Sequence, residues 1–214
     1  MNKRIRIDFV SDVSCPWCVI GLKALEAALL RVAGDVTADI HFQPFELNPR
    51  MGAAGEDVAE HLGKKYGAAP ADLERSRKAL RARGEELGFD FQMTRRERIY
   101  NTFDAHRLLH WAELEGRQQA LQHALFTAYF TAGRNPSDPE TLADIAAEVG
   151  LDRARAAQVL ASGEYAAEVR ERERFYLDKG IHAVPAVILN ERHLIQGGQP
   201  VDVFEQAIRH VVAG

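Results

Sequence analysis

Cys15 and Cys18 are the only cysteines in a chain of 214 residues, and both lie in one tetrapeptide, Cys15-Pro16-Trp17-Cys18. Two thiols at that spacing could staple the chain, hold a metal or exchange electrons. A bond between them would close almost no loop, so it would add little chain-entropy stabilisation. A structural zinc needs four ligands, commonly two such pairs or one pair with two histidines. His106 and His110 have a finger-like spacing, but they fall far along the chain on an expected helix, and no metal site is expected. Thiol–disulfide exchange is the chemistry that remains.

The residues inside the motif sharpen that reading. Proline is favoured at the first position of a helix, where a backbone N–H would have no partner. Cys15 would then stand at or just before a helix N-terminus, where unpaired N–H groups and the helix dipole favour an anion. A thiolate is such an anion and is the attacking species in exchange. Cys18, one turn along, falls within reach of the Cys15 sulfur. Cys15 is therefore expected to be the nucleophile and Cys18 the resolving thiol. The redox carrier would be a Cys15–Cys18 disulfide, with no other bound cofactor. Trp17 either offers an apolar surface to a substrate or packs against the helix end.

The flanking patterns say what positions these residues. Ile5-Arg6-Ile7-Asp8-Phe9-Val10 alternates apolar and polar residues as a strand does. After Cys18, Leu22, Leu25 and Leu29 recur at helical spacing, with Gly34 and Asp35 as the expected stop. Ala38 to Phe45 alternates again, so the first 47 residues read as strand, helix, strand. From about Asn48 to Asp178 the chain is rich in Ala, Leu, Glu and Arg with helical period, and five to seven helices are expected. Pro70-Ala71-Asp72-Leu73 and Ser137-Asp138-Pro139-Glu140 look like helix starts. Strand character returns at Val184-Pro185-Ala186-Val187-Ile188-Leu189. A turn at Asn190-Glu191-Arg192, a short strand from His193 and a last helix from Pro200 to about Val212 follow. That helix is expected to turn Val203, Phe204, Ile208, Val211 and Val212 inward.

The totals narrow the class. Forty-six per cent hydrophobic and 27% charged residues describe a globular protein. A formal net charge of -4 argues against nucleic acid, whose binders carry a clustered basic face. The short run Arg95, Arg96, Arg98 is expected to be a solvated helix start. No stretch approaches the length of a membrane span, and no apolar segment of the secretory kind follows Met1, so a soluble cytoplasmic protein is expected.

Four blocks, in order and over nearly the whole chain, resemble the DsbA family, FrnE-like branch. They are Ser11-Asp12-Val13-Ser14-Cys15-Pro16-Trp17-Cys18, Asn101-Thr102-Phe103-Asp104-Ala105-His106-Arg107, Gly180-Ile181-His182-Ala183-Val184-Pro185 and Gly197-Gly198-Gln199-Pro200. The resemblance implies an α/β thioredoxin fold, a βαβ head and a ββα tail in one sheet, with a large inserted all-α domain. Residues 1–48 and 178–214 would form the thioredoxin-like domain and 49–177 the insertion. It also implies thiol oxidoreductase activity, with Pro185 a cis-proline facing the cysteines. Pro185 would shape a substrate groove and Val184 would offer backbone groups to a bound chain. Some members carry further cysteines in a C-terminal extension. This chain has none, so isomerase activity that depends on a second pair is not implied.

The same superfamily includes 2-hydroxychromene-2-carboxylate isomerases and kappa-class glutathione transferases, which resemble this chain in the helical insertion and the Asn-Thr segment. Those usually place a serine where Cys15 stands, to hydrogen-bond a glutathione thiolate. Glutathione is thus a candidate co-substrate, and a glutathione-dependent isomerase or transferase is the alternative; a holdase without turnover is a third reading. Expected partners are a disulfide- or thiol-containing protein or small molecule and a redox partner that the sequence does not identify. Four further residues are candidate neighbours of the site. His182, three residues before Pro185, is either a cation near the sulfurs or a loop histidine in water. His106 and Asn101 either line the cleft or pack a helix. Asp12 either caps the turn before the motif or influences proton transfer from Cys18. Phe126, Tyr129, Phe130, Leu108, Leu109 and Trp111 are expected in the core.

Overall fold

The computed structural model describes residues 3–52 and 54–213. In chain order the head comprises β1 (Lys3–Ser11), α1 (Pro16–Arg31) and β2 (Val36–Pro44). There follow β3 (Glu56–Asp57), α2 (Val58–Tyr66), α3 (Pro70–Glu86), β4 (Arg98–Ile99), α4 (Phe103–Leu114), α5 (Gln118–Phe130), α6 (Pro139–Glu148), α7 (Arg153–Ala161) and α8 (Ala166–Asp178). The tail is β5 (Ala186–Leu189), β6 (His193–Gln196) and α9 (Val201–Ala213). Head and tail build one sheet of order β2-β1-β5-β6. β1 runs parallel to β2 and antiparallel to β5, and the last two strands form a hairpin. This is a thioredoxin fold with seven helices among the described residues between β2 and β5.

Alternation along β1 explains the layering. Ile5, Ile7 and Phe9 meet Val19, Leu22 and Leu25 of α1 and Phe204 and Ile208 of α9 in one apolar cluster. Val10, on the opposite face, packs with Tyr176 of α8, Ile181 and Ala186. The inserted helices do not keep a wholly separate core. Phe89, Phe91, Phe126, Tyr129 and Phe130 belong to the same cluster as α1, whereas Leu108, Leu109, Trp111, Leu121 and Leu142 form a second one.

The predicted helix starts at Pro70 and Pro139 hold, and Asp138 accepts the Thr141 N–H at 2.8 Å as an N-cap. Three local expectations need correction. Helix α1 ends at Arg31, short of Gly34, because the Asp35 and Val36 N–H groups already turn back onto the Val32 carbonyl. Val203 is exposed, since the apolar stripe of α9 is centred on Phe204 and Ile208. The Arg95–Arg98 run starts no helix. Arg98 forms β4 against Asp57 of β3, and Arg96 is buried.

Candidate active site

The motif sits where β1 hands over to α1. Asp12, fully buried, makes the turn: one carboxylate oxygen accepts the Ser14 N–H at 2.9 Å and the other the Leu47 N–H at 2.6 Å. Its backbone carbonyl accepts the Cys15 N–H at 3.1 Å. Cys15 is the N-cap of α1, with Pro16 in the first helical position and no side-chain capping bond. Its sulfur is therefore not consumed by the helix, and it faces the Val184 carbonyl at 3.7 Å.

Cys18 lies one turn beneath, fully buried. Burial pushes its thiol well above the ordinary thiol range, and a hydrogen bond with the Cys15 side chain adds to that rise. The pair is thus asymmetric, with Cys15 bordering a cavity and Cys18 shielded and held as the protonated partner. Among the described residues no further His, Cys, Asp or Glu gathers with them into a metal-binding group.

The Val184–Pro185 peptide bond is cis, and buried Pro185 sits against α1. Two glycines permit that approach. A β-carbon on Gly21 would meet the Pro185 Cγ at 2.9 Å, and one on Gly198 would meet the Trp17 carbonyl at 3.0 Å. The Gly197 N–H also donates to the Pro185 carbonyl at 2.8 Å. Sequence reading missed the role of Gly21, which looks like an ordinary helix residue.

A cavity of about 760 Å³ opens over Cys15. Cys15, Pro16, Trp17, His182 and Val184 border it on the sheet side, and α2 and α3 form the opposite wall with Val58, Leu62, Leu73 and Leu80. Trp17 is 42% exposed. His182 is exposed as well.

The remaining candidates lie behind the wall. His106, buried, donates from Nε2 to the Phe45 carbonyl at 3.1 Å. Asn101, the residue before the Thr102 N-cap of α4, accepts the Phe103 N–H at 2.9 Å and donates to Glu46 at 3.2 Å. Glu46 borders the cavity and is ion-paired with Arg170, whose guanidinium lies 3.7 Å over the Phe103 ring. Asp12, Asn101 and His106 therefore share one job, which is to hold the segment Phe45–Leu47 that forms part of the cavity wall.

Arg96 is the site residue that the sequence did not reveal. It borders the cavity, is only 8% exposed, and lies 5.0 Å over the Tyr129 ring and 5.1 Å over Phe130. It donates to the Ser14 carbonyl at 3.2 Å, immediately before Cys15. The Tyr129 hydroxyl donates to the Arg98 carbonyl at 2.8 Å, which fixes the strand that delivers it.

Comparison with known proteins agrees with this architecture. Residues 6–209 match the DSBA-like thioredoxin domain. A probable DsbA oxidoreductase from Streptomyces coelicolor is 32% identical, with a TM-score of 0.90 over 98% of this chain and 90% of that one. The uncharacterized protein YwbO of Bacillus subtilis is 27% identical over 95% of this chain and 96% of its own length. The fold is also that of the cytosolic disulfide reductase DsbM from Pseudomonas aeruginosa, solved with GSH, at 20% identity and a TM-score of 0.67 over 98% of this chain and all of that one. Matched from its first strand to its last helix, the chain belongs to the DsbA-like thioredoxin-domain family of disulfide oxidoreductases.

Proposed function

We propose that the protein exchanges electrons with substrate disulfides through Cys15 and Cys18, as a member of the FrnE-like branch working in the cytoplasm. The observation that carries this reading is the asymmetry of the pair. One sulfur borders an open cavity at the head of a helix, and the other is buried a turn below in hydrogen-bond contact with it. The Cys15 thiolate attacks one sulfur of a substrate disulfide, forming a mixed disulfide and expelling the other substrate half as a thiolate. Cys18, on losing its proton, attacks the Cys15 sulfur, and the second substrate half leaves as a thiolate. Two electrons have then passed from the protein dithiol to the substrate, and the Cys15–Cys18 disulfide remains. A small thiol or dithiol resets it, and the same steps reversed oxidise a substrate dithiol.

Val184 and Pro185 border the attack path, and Pro16 and Trp17 supply apolar surface to the substrate. A chain whose two cysteines both serve one motif suits a reducing compartment. Reductase activity is expected to vanish in Cys15→Ser, and Cys18→Ala is expected to accumulate the mixed disulfide, visible as a mass increase equal to the substrate half. Activity that survives Cys15→Ser would overturn the reading.

A further inference from the structure

Two bases that border the cavity over Cys15, Arg96 and Lys65, have no ion-pair partner among the described residues, whereas the acids of the lining already have basic ones. Arg96 is more than nine-tenths buried, its Nε has no hydrogen-bond partner among the described residues, and its contacts there are the Ser14 carbonyl, the Tyr129 hydroxyl and two aromatic faces, with no carboxylate among them. Burying a cation without a counter-charge is costly unless something supplies one. Lys65, at the rim, donates among the described residues to the neutral Leu47 carbonyl at 2.8 Å and the Asn48 side-chain oxygen at 2.9 Å. His61 of α2 gives its Nδ1–H to Glu56 at 2.7 Å, and its Nε2 is buried without a partner.

The carboxylates of the same lining are satisfied. Glu46 is held by Arg170 and Asn101, and Asp72 by the Ala69 N–H and Arg75. What the cavity lacks is therefore an anion. A planar guanidinium whose Nε–H is unpaired matches a carboxylate. The volume, about 760 Å³, is that of a small-molecule site and not of a channel for a folded chain.

We infer that the cavity binds a low-molecular-weight thiol, or its disulfide, bearing a carboxylate, and that Arg96 is the residue that takes the carboxylate, with Lys65 attracting it at the rim. The inference rests on the redox reading above, since it names the substrate class for the same sulfur. Arg96 touches the ligand on one side and the backbone of Ser14 on the other. Ligand charge and nucleophile are thereby held in one frame.

The test compares two disulfides of unlike charge, glutathione disulfide and the neutral 2-hydroxyethyl disulfide, each mixed with the fully reduced protein. Oxidation of the pair is followed by the fluorescence of neighbouring Trp17. The ratio of the two second-order rate constants is expected to fall about tenfold or more in Arg96→Met, as the loss of a charged hydrogen bond predicts, and a few-fold in Lys65→Gln. In the unmodified protein, rising ionic strength should slow the charged disulfide and not the neutral one. An unchanged ratio in Arg96→Met overturns the inference. Should that variant fail to fold, a ratio indifferent both to salt and to Lys65→Gln overturns it equally.

A redox-inert arm separates this inference from the reading beneath it. Calorimetric binding of S-methylglutathione to Cys15→Ser is expected to weaken about tenfold on adding Arg96→Met. If that weakening appears while the thiols prove inert, the redox reading fails and the carboxylate site stands. If the thiols exchange and no weakening appears, the site fails alone.

Discussion

Gly21 and Pro185 are packed so closely that a single methyl group does not fit between them: a β-carbon at Gly21 would come within 2.9 Å of the proline Cγ. The cysteines belong to the head of the chain and the proline loop to its tail, so this contact sets how near Val184 stands to the Cys15 sulfur. Gly21→Ala is expected to lower stability by about 1–3 kcal/mol, the usual overpacking penalty. It should also lower activity by more than the unfolded fraction accounts for. Urea unfolding beside the rate of disulfide exchange checks both; a fully active, equally stable alanine variant would show that the loop yields.

Alkaline pH should destabilise the reduced protein through Cys18. Its thiol is pushed well above its ordinary value of 9.0 by burial and by the Cys15 hydrogen bond. The folded state thus holds that proton more tightly than the unfolded chain does. The associated stability is fully present below pH 9 and is lost as pH rises towards the folded value. Melting temperatures of the reduced protein between pH 7 and 10 are expected to fall along an alkaline limb that Cys18→Ala flattens. An identical limb in the variant would assign it to another group.

Alkylation should separate the two cysteines. Iodoacetamide at neutral pH is expected to modify Cys15, which borders the cavity, while Cys18 remains unlabelled behind it. Peptide mass mapping of briefly treated, reduced protein gives the answer. Preferential labelling of Cys18 would reverse the assigned roles.

The candidate site was legible where its signals were local. Pro16 marks a helix start, Asp138 and Pro139 mark another, and the hairpin turn at Asn190-Glu191-Arg192 separates two strands of the tail. Arg96 was hidden for the opposite reason. Beside Arg95 and Arg98 it looks like part of a solvated run, and only the distant rings of Tyr129 and Phe130 make it a buried residue. The ribbon of β3 and β4, two residues to a strand, is too short for alternation to register. His106 and Asn101 were visible as candidates, but their partners, the Phe45 carbonyl and Glu46, follow β2 far back in the chain.

Trp17 should matter to substrates more than to the fold. It is 42% exposed, so Trp17→Ala is expected to cost about 1–2 kcal/mol of stability, less than a fully buried tryptophan, since only part of its apolar surface leaves water on folding. The KM for an apolar disulfide should nevertheless rise several-fold. Chemical denaturation and steady-state kinetics on one preparation distinguish the two effects.

Asp12→Ala should be more damaging to folding. It strips acceptors from the buried Ser14 N–H and the part-buried Leu47 N–H, at about 1–3 kcal/mol for the first and less for the second. Asp12→Asn, which keeps an acceptor oxygen, is expected to recover part of the loss. Equal destabilisation by both would place the effect in charge and not in hydrogen bonding.

Because one carboxylate anchors both the turn that presents Cys15 and the segment that walls the cavity, the breadth of the binding space and the pose of the sulfur cannot drift independently. A lineage that remodels residues 45–48 to admit a different substrate must either leave that anchor in place or re-aim the Cys15 sulfur at the same time. Changes of specificity should for that reason accumulate on α2 and α3, across the cavity, where the side chains can vary without disturbing the pose of Cys15.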